Sequence, residues 1–318
     1  MIEYGGYIEL DTYHLPMLHE EAIALNSGRN ALAYLLQVRN IRKLWIPKLI
    51  CDAVVDVCQR EGVSCAFYSI GLDFLPVQEV SLEENEWFYF VNYYSQFDNA
   101  KISEYVAKYK RVIVDQAQSY FQYPIPGVDT LYTCRKYFGV TDGAFLYTEK
   151  AINQIIPVDE SFNRMKFLLG RYERNALEFY SEFVANENRF ATEPIKQMSR
   201  LTQNLLHGID YERVKGVRED NFRYLHKELG GINRLRINER SGTFMYPLLL
   251  ADGLAIRKQL QKKKIYIPTL WPDVIMRCEA GDIEYQMAEN ILPLPIDQRY
   301  GTEEMMRIVE EIKKCLRI

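Results

Sequence analysis

Two residue types at a fixed separation carry most of the chemistry in this chain. The stretch RVIVDQAQSYF places an acid, Asp115, directly after the apolar run Val112–Val114, and a glutamine, Gln118, three residues on. The stretch LYTCRKYFGVTDGAFLY ends a second short run at Thr133 and places Lys136 three residues later. Val112–Val114 is predicted as a strand, and Leu131–Tyr132 as another. An acid and an amine, each just beyond a predicted strand, suit a small cofactor held between them. Taken alone, Asp115 reads equally as the N-cap of a following helix. Lys136 reads as a solvated lysine unless its aromatic neighbours Tyr132, Tyr137 and Phe138 keep it dry, which is the expectation here. Arg135 faces either an anion or solvent.

A third feature lies near the N-terminus. Leu25–Asn30 reads LNSGRN and precedes Ala31–Leu36, which has helical composition and periodicity. Asn26 or Ser27 is expected to cap this helix. A helix start leaves backbone N–H groups without partners and carries the positive end of the dipole. It is therefore either a plain cap or a cradle for a phosphate.

The elements that must position these residues alternate. Leu44–Ile46 is predicted as a strand closed by Pro47, Ile50–Arg60 as a helix stopped by Gly62, and Ser64–Tyr68 as a strand. Trp87–Val91 is an unbroken apolar run, as in a strand covered on both faces, and Lys101–Lys110 is a helix. Alternation of this kind makes a mostly parallel sheet with crossover helices, and ligands of such sheets sit at the carboxyl ends of the strands. Pro47, Asn92, Asp115 and Thr133 all fall at those ends. Past the run Gly143–Tyr147, one long helical stretch is expected from Asp159 to Arg189 and another from Pro194 to about Leu229. After Gly230–Gly231 come a strand at Thr243–Leu248, a helix at Gly253–Lys263, extended segments at Ile265–Pro268 and Ile291–Ile296, and an amphipathic helix at Thr302–Leu316. The fold class is α/β: a three-layer sandwich with a mostly parallel central sheet over residues 1–225, which include an N-terminal arm and connecting helices, and a smaller C-terminal α/β domain over 226–318.

The ordered set NSGRNAL, WIPKLICDAV, VIVDQAQ, TCRKYFGVTDGAFLY, YIPTLWP and LPLPIDQRY resembles the DegT/StrS-type nucleotide-sugar aminotransferases, which belong to the fold-type I enzymes dependent on pyridoxal 5'-phosphate (PLP). The resemblance runs over nearly the whole chain. It implies that Gly28, Arg29 and Asn30 cradle the cofactor phosphate with Thr133, and that Asp115 pairs with the pyridine nitrogen. It implies that Gln118 contacts the ring hydroxyl side and that Lys136 is the Schiff-base lysine. The family's ring-stacking aromatic aligns with Cys51, where a cysteine departs from the pattern. The spacing from Thr133 to Lys136 is tighter than in many relatives. The implied activity is transfer of an amino group from a donor such as glutamate to a keto-sugar, nucleotide-linked, by a homodimer with shared active sites. The alternatives are a non-catalytic regulatory homologue that binds PLP or a sugar nucleotide, and a PLP enzyme of other chemistry such as a dehydratase. Relatives of the last kind usually replace the lysine with histidine, which Lys136 does not match. A dinucleotide-binding enzyme lacks support, since no G-x-G-x-x-G follows a strand.

Composition narrows the field. At 318 residues, with 48% hydrophobic and 26% charged side chains, the chain has the make-up of a globular protein with a substantial core. A formal net charge of -4 gives no basis for nucleic-acid binding, and the short basic runs Arg39–Arg42–Lys43 and Lys262–Lys264 lie near predicted helix ends. None of the six cysteines forms a C-x-x-C pair or sits at zinc-ligand spacing from a histidine, so no metal is expected. No apolar run approaches the roughly 18 residues that would cross a bilayer. The N-terminus carries Glu3 and no apolar signal region, and a cytoplasmic location is expected. His14 and His19 read as packing or surface residues.

Overall fold

The computed structural model describes residues 4–317; Glu3 lies outside them. A seven-stranded sheet organises the chain, in the order β1 (Ile23–Leu25), β7 (Ala144–Tyr147), β6 (Asp129–Thr133), β5 (Val112–Asp115), β4 (Glu86–Val91), β2 (Lys43–Pro47) and β3 (Ser64–Tyr68). From β3 to β6 all neighbours are parallel, while β7 runs antiparallel to both β6 and β1. Val112–Ile113–Val114 and Phe88–Tyr89–Phe90 are almost fully buried, as strands covered on both faces must be. Helix α2 (Asp52–Arg60) crosses from β2 to β3, and α3 (Asn99–Tyr109) crosses from β4 to β5. Helix α1 (Gly28–Val38) packs on β6, β7 and α2. Helices on a mostly parallel sheet are the α/β architecture expected, with Pro47, Val91–Asn92, Asp115 and Thr133 along one edge.

The connecting region differs from the two long helices expected. Residues 159–189 hold α4 (Lys166–Glu173) and α5 (Tyr180–Arg189) with an irregular joint, where Arg174 adopts φ -134 and ψ -133. The break has a local cause. The Asn175 side chain accepts from the N–H groups of Leu177 and Glu178, which gives the backbone an alternative to the helix ladder. The next stretch is also two helices, α6 (Arg200–Leu206) and α7 (Tyr211–Leu229), capped by Ser199 and Asp210.

In the C-terminal part, β8 (Tyr246–Leu249) and β9 (Ile291–Leu294) form an antiparallel pair. Around it lie α8 (Gly253–Lys262), α9 (Pro272–Arg277), α10 (Ile283–Asn290) and α11 (Thr302–Leu316). Ile265–Pro268 joins neither sheet, and α9 and α10 are additional to the elements read from the sequence. Gly253 is required where it stands, since a Cβ there would lie 2.0 Å from the Asn290 carbonyl oxygen. No helix of the described residues is long and apolar enough to cross a membrane.

Candidate active site

The carboxyl edge of the sheet gathers most of the singled-out residues. Val91 pairs with Asp115 and Asp115 with Leu131, so Tyr89, Asp115 and Thr133 project on one face of three adjacent strands. Helix α1 begins beside them: a Cβ on Gly28 would lie 3.8 Å from the Thr133 Cβ. Ser27 caps this helix, its Oγ accepting from the Asn30 N–H at 3.2 Å. The Asn26 carbonyl accepts from the Gly143 N–H at 2.7 Å, and the Cys134 N–H donates to the Gly143 carbonyl at 3.0 Å. These bonds tie the start of α1 to the segment that carries Lys136. Gly143 has φ +118, and a Cβ there would lie 3.1 Å from Cys134 and Thr202, so only glycine fits this joint.

Asp115 is 8% exposed. Its Oδ1 accepts from the Ala117 N–H at 2.7 Å and its Oδ2 from the Tyr89 hydroxyl at 2.9 Å. Burial pushes its pKa up; the positive charge of Lys136, the Ala117 N–H and the Tyr89 hydroxyl oppose that rise. A carboxylate has about four lone-pair positions and two are used by these partners, so Asp115 retains room for a further donor. Gln118 is buried, its Oε1 accepting from the Tyr94 N–H at 2.8 Å.

Three features differ from the sequence reading. The aromatic neighbours do not enclose Lys136: Tyr132, Tyr137 and Phe138 turn into the core while Lys136 is exposed, its Nζ 5.5 Å from the Phe244 ring centre. Asn30 is withdrawn from the cradle, because its amide donates to Asn26 Oδ1 and the Pro194 carbonyl and its Oδ1 accepts from Arg60. Among the described residues, the backbone N–H groups of Gly28 and Arg29 at the helix start have no hydrogen-bond partner. Cys51 is an exposed N-cap of α2 and offers no ring surface. Arg135 packs over the Phe190 ring at 4.5 Å and pairs with Glu187. Burial lowers its pKa, Glu187 opposes this and the nearby Arg29 adds to it.

Other residues were not singled out from sequence. Tyr89 lay inside an apolar run, and only its position two residues before the partner of Asp115 signals the contact. Arg218 on α7 is 1% exposed and donates to the carbonyls of Thr243 and Phe244 and to Gln298 Oε1, while Gln298 donates to the Tyr137 carbonyl. It thus clamps both flanks of Lys136. Asp142 is buried and accepts from the Ser199 N–H and Oγ at 2.8 Å, which fixes the start of α6. His19 is a packing residue, as expected: its ring lies 4.1 Å from that of Tyr132, centre to centre.

The mostly parallel seven-stranded sheet with antiparallel β7, flanked by helices, is an α/β fold. No protein-family model matches the chain, and no curated protein matches it in sequence. Solved structures do match. The sugar aminotransferase CalS13 from Micromonospora echinospora is 14% identical, covers 92% of this chain and 87% of its own, and superposes with a TM-score of 0.62. A DegT DnrJ EryC1 StrS aminotransferase from Brucella abortus gives 14%, 92%, 85% and 0.62. NtdA from Bacillus subtilis, with bound cofactor PMP, gives 13%, 93%, 73% and 0.66. Likeness at these identities establishes the fold.

Proposed function

We propose that the protein is a PLP-dependent aminotransferase that moves an amino group from an amino acid such as glutamate to a keto-sugar, nucleotide-linked. The observation that carries this reading is the buried Asp115 carboxylate, partly bonded and under the influence of Lys136, on the edge where α1 begins beside Thr133. The printed descriptions of the neighbours, sugar aminotransferases and a protein with bound PMP, support it.

The residues present fit the cofactor. Asp115 has an open lone-pair position for a protonated ring nitrogen, and its own elevated pKa marks a carboxylate that gains from a cationic partner. The N–H groups of Gly28 and Arg29 and the Thr133 hydroxyl would hold the phosphate. Gln118 would contact the ring hydroxyl side, and Cys51 would take the position of the family's ring-stacking aromatic. When bound, PLP supplies an electron sink for a developing negative charge on the donor carbon. Lys136 would hold the cofactor through its amine and then carry a proton between the donor carbon and the cofactor. Arg218, through Phe244 and Tyr137, would fix where Lys136 stands.

Lys136 needs cover from water to do this, and a homodimer with shared sites would provide it. The exposed apolar arm residues Tyr4, Tyr7 and Ile8 support such an assembly. The six free cysteines support a cytoplasmic setting, and the β8–β9 pair with its helices supports a separate small domain from about residue 226. Cys51 in place of an aromatic favours a second reading, a non-catalytic homologue that keeps the fold.

Adding PLP to the purified protein should produce a visible absorption band that Lys136→Ala lacks, and glutamate with a keto-sugar acceptor should then be consumed. A protein that takes up no PLP would refute the proposal. A coloured protein without amino transfer would favour the second reading.

A further inference from the structure

Asp115 has one side-chain hydrogen-bond partner among the described residues, and it is unusual for its place in the chain. Tyr89 sits in the middle of β4, in the run Trp87–Val91, where a phenylalanine would pack as well. Its hydroxyl is carried into the core with the rest of the side chain, which is 1% exposed. A buried hydroxyl costs free energy unless it is used, and here it donates to Asp115 Oδ2 at 2.9 Å. The strand is held in turn by Tyr68, whose hydroxyl donates to the Tyr89 carbonyl oxygen at 2.8 Å. Register fixes the meeting: Tyr89 pairs with Ile113 and Val91 with Asp115, so the phenol reaches diagonally along one face to the neighbouring strand's end.

We propose that Tyr89 is a positioning residue for the cofactor, holding Asp115 ionised and aimed so that its free lone pairs meet the ring nitrogen of PLP. The inference rests on the PLP reading above. The physical argument has two parts. Burial favours the neutral carboxyl of Asp115, and a neutral carboxyl cannot pair with a protonated ring nitrogen; each donor to the carboxylate opposes that. The phenol itself is locked as a donor, since burial first and the charge of Asp115 second push its own pKa well above the ordinary value. With Ala117 on Oδ1 and Tyr89 on Oδ2, the carboxylate plane is fixed from two sides before any ligand arrives.

The test compares PLP binding by the full-length wild type, Tyr89→Phe and Tyr109→Phe, by equilibrium dialysis from about pH 5.5 to 8.5. Tyr109 is buried and its hydroxyl accepts from the Val80 N–H at 3.3 Å, so Tyr109→Phe removes a buried phenol bond away from Tyr89 and Asp115 and controls for general loosening. Tyr89→Phe should bind PLP several-fold more weakly than the wild type at the acid end of the range, because loss of a donor raises the pKa of the Asp115 carboxyl, with the gap closing as the pH rises. Tyr109→Phe should follow the wild-type profile. A Tyr89→Phe profile parallel to wild type, or an equal shift in Tyr109→Phe, overturns the inference and leaves the PLP reading standing. A wild type that binds no PLP at any pH overturns both. If Tyr89→Phe does not fold, the wild-type profile decides alone: affinity already collapsing below about pH 7 is incompatible with a carboxylate held ionised.

Discussion

Arg218→Met tests the claim that α7 clamps the segment bearing Lys136. The guanidinium is 1% exposed and, among the described residues, has no carboxylate partner in hydrogen-bond contact. Its Nη1 serves the Thr243 and Phe244 carbonyls at 3.2 and 3.0 Å, its Nη2 serves Gln298 Oε1 at 3.0 Å, and its Cζ lies 4.5 Å from the Tyr137 ring centre. Methionine keeps much of the bulk and removes every donor. Two buried carbonyls and the half-buried Gln298 Oε1 then lose their partner, at about 1 kcal/mol each, and the cation–ring contact adds about 1 kcal/mol. Relief of the buried charge offsets part of this. The net loss should be roughly 3 kcal/mol, a large share of the stability of a typical domain. Urea denaturation followed by tryptophan fluorescence should show the midpoint fall with an unchanged slope. Arg223→Met, on the same helix but hydrogen-bonded to the exposed acids Asp220 and Glu239, should leave the midpoint nearly in place. A loss below about 1 kcal/mol for Arg218→Met would mean the carbonyls find other donors and that Arg218 does not hold Phe244 and Tyr137.

Other consequences are open to measurement. Gly253→Ala forces a Cβ to within 2.0 Å of the Asn290 carbonyl oxygen, so backbone must part from backbone; a loss of roughly 3 kcal/mol by urea titration is expected, and an unchanged midpoint would refute the close approach. His19 is lowered to about 4 by burial, with its bond to the Tyr120 carbonyl opposing. The native ring stays neutral while the unfolded chain takes up a proton below about pH 6.5, so stability should fall from there down to about pH 4, by on the order of 3 kcal/mol in all. His19→Phe should flatten that part of the stability profile, and an undiminished slope would assign it to other groups.

The carboxyl ends of β2, β4, β5 and β6 were legible because buried strands announce themselves as short apolar runs with a polar residue at the end. Asp115 and Thr133 were found that way; capping chemistry narrowed the start of α1 to Asn26 or Ser27, of which Ser27 is the cap, and α11 was legible because its apolar face recurs at helical spacing. The break at Asn175 was not legible, because charged residues of good helix propensity surround it and one side chain's hydrogen bonds decide the matter. Nor were α9 and α10, which are short and owe their burial to packing around β8 and β9.

The sequence by itself determined which residues stand at strand ends and helix starts, since those follow from periodicity, capping and the geometry of a single segment. Tertiary structure decided what those residues meet. It set β7 antiparallel between β6 and β1, placed the Tyr89 hydroxyl on Asp115, drew Asn30 away to Arg60, and left Lys136 facing solvent beside Phe244. The physical reason is that such contacts join residues far apart in the chain, through strand register and helix packing, and local propensity carries no information about either.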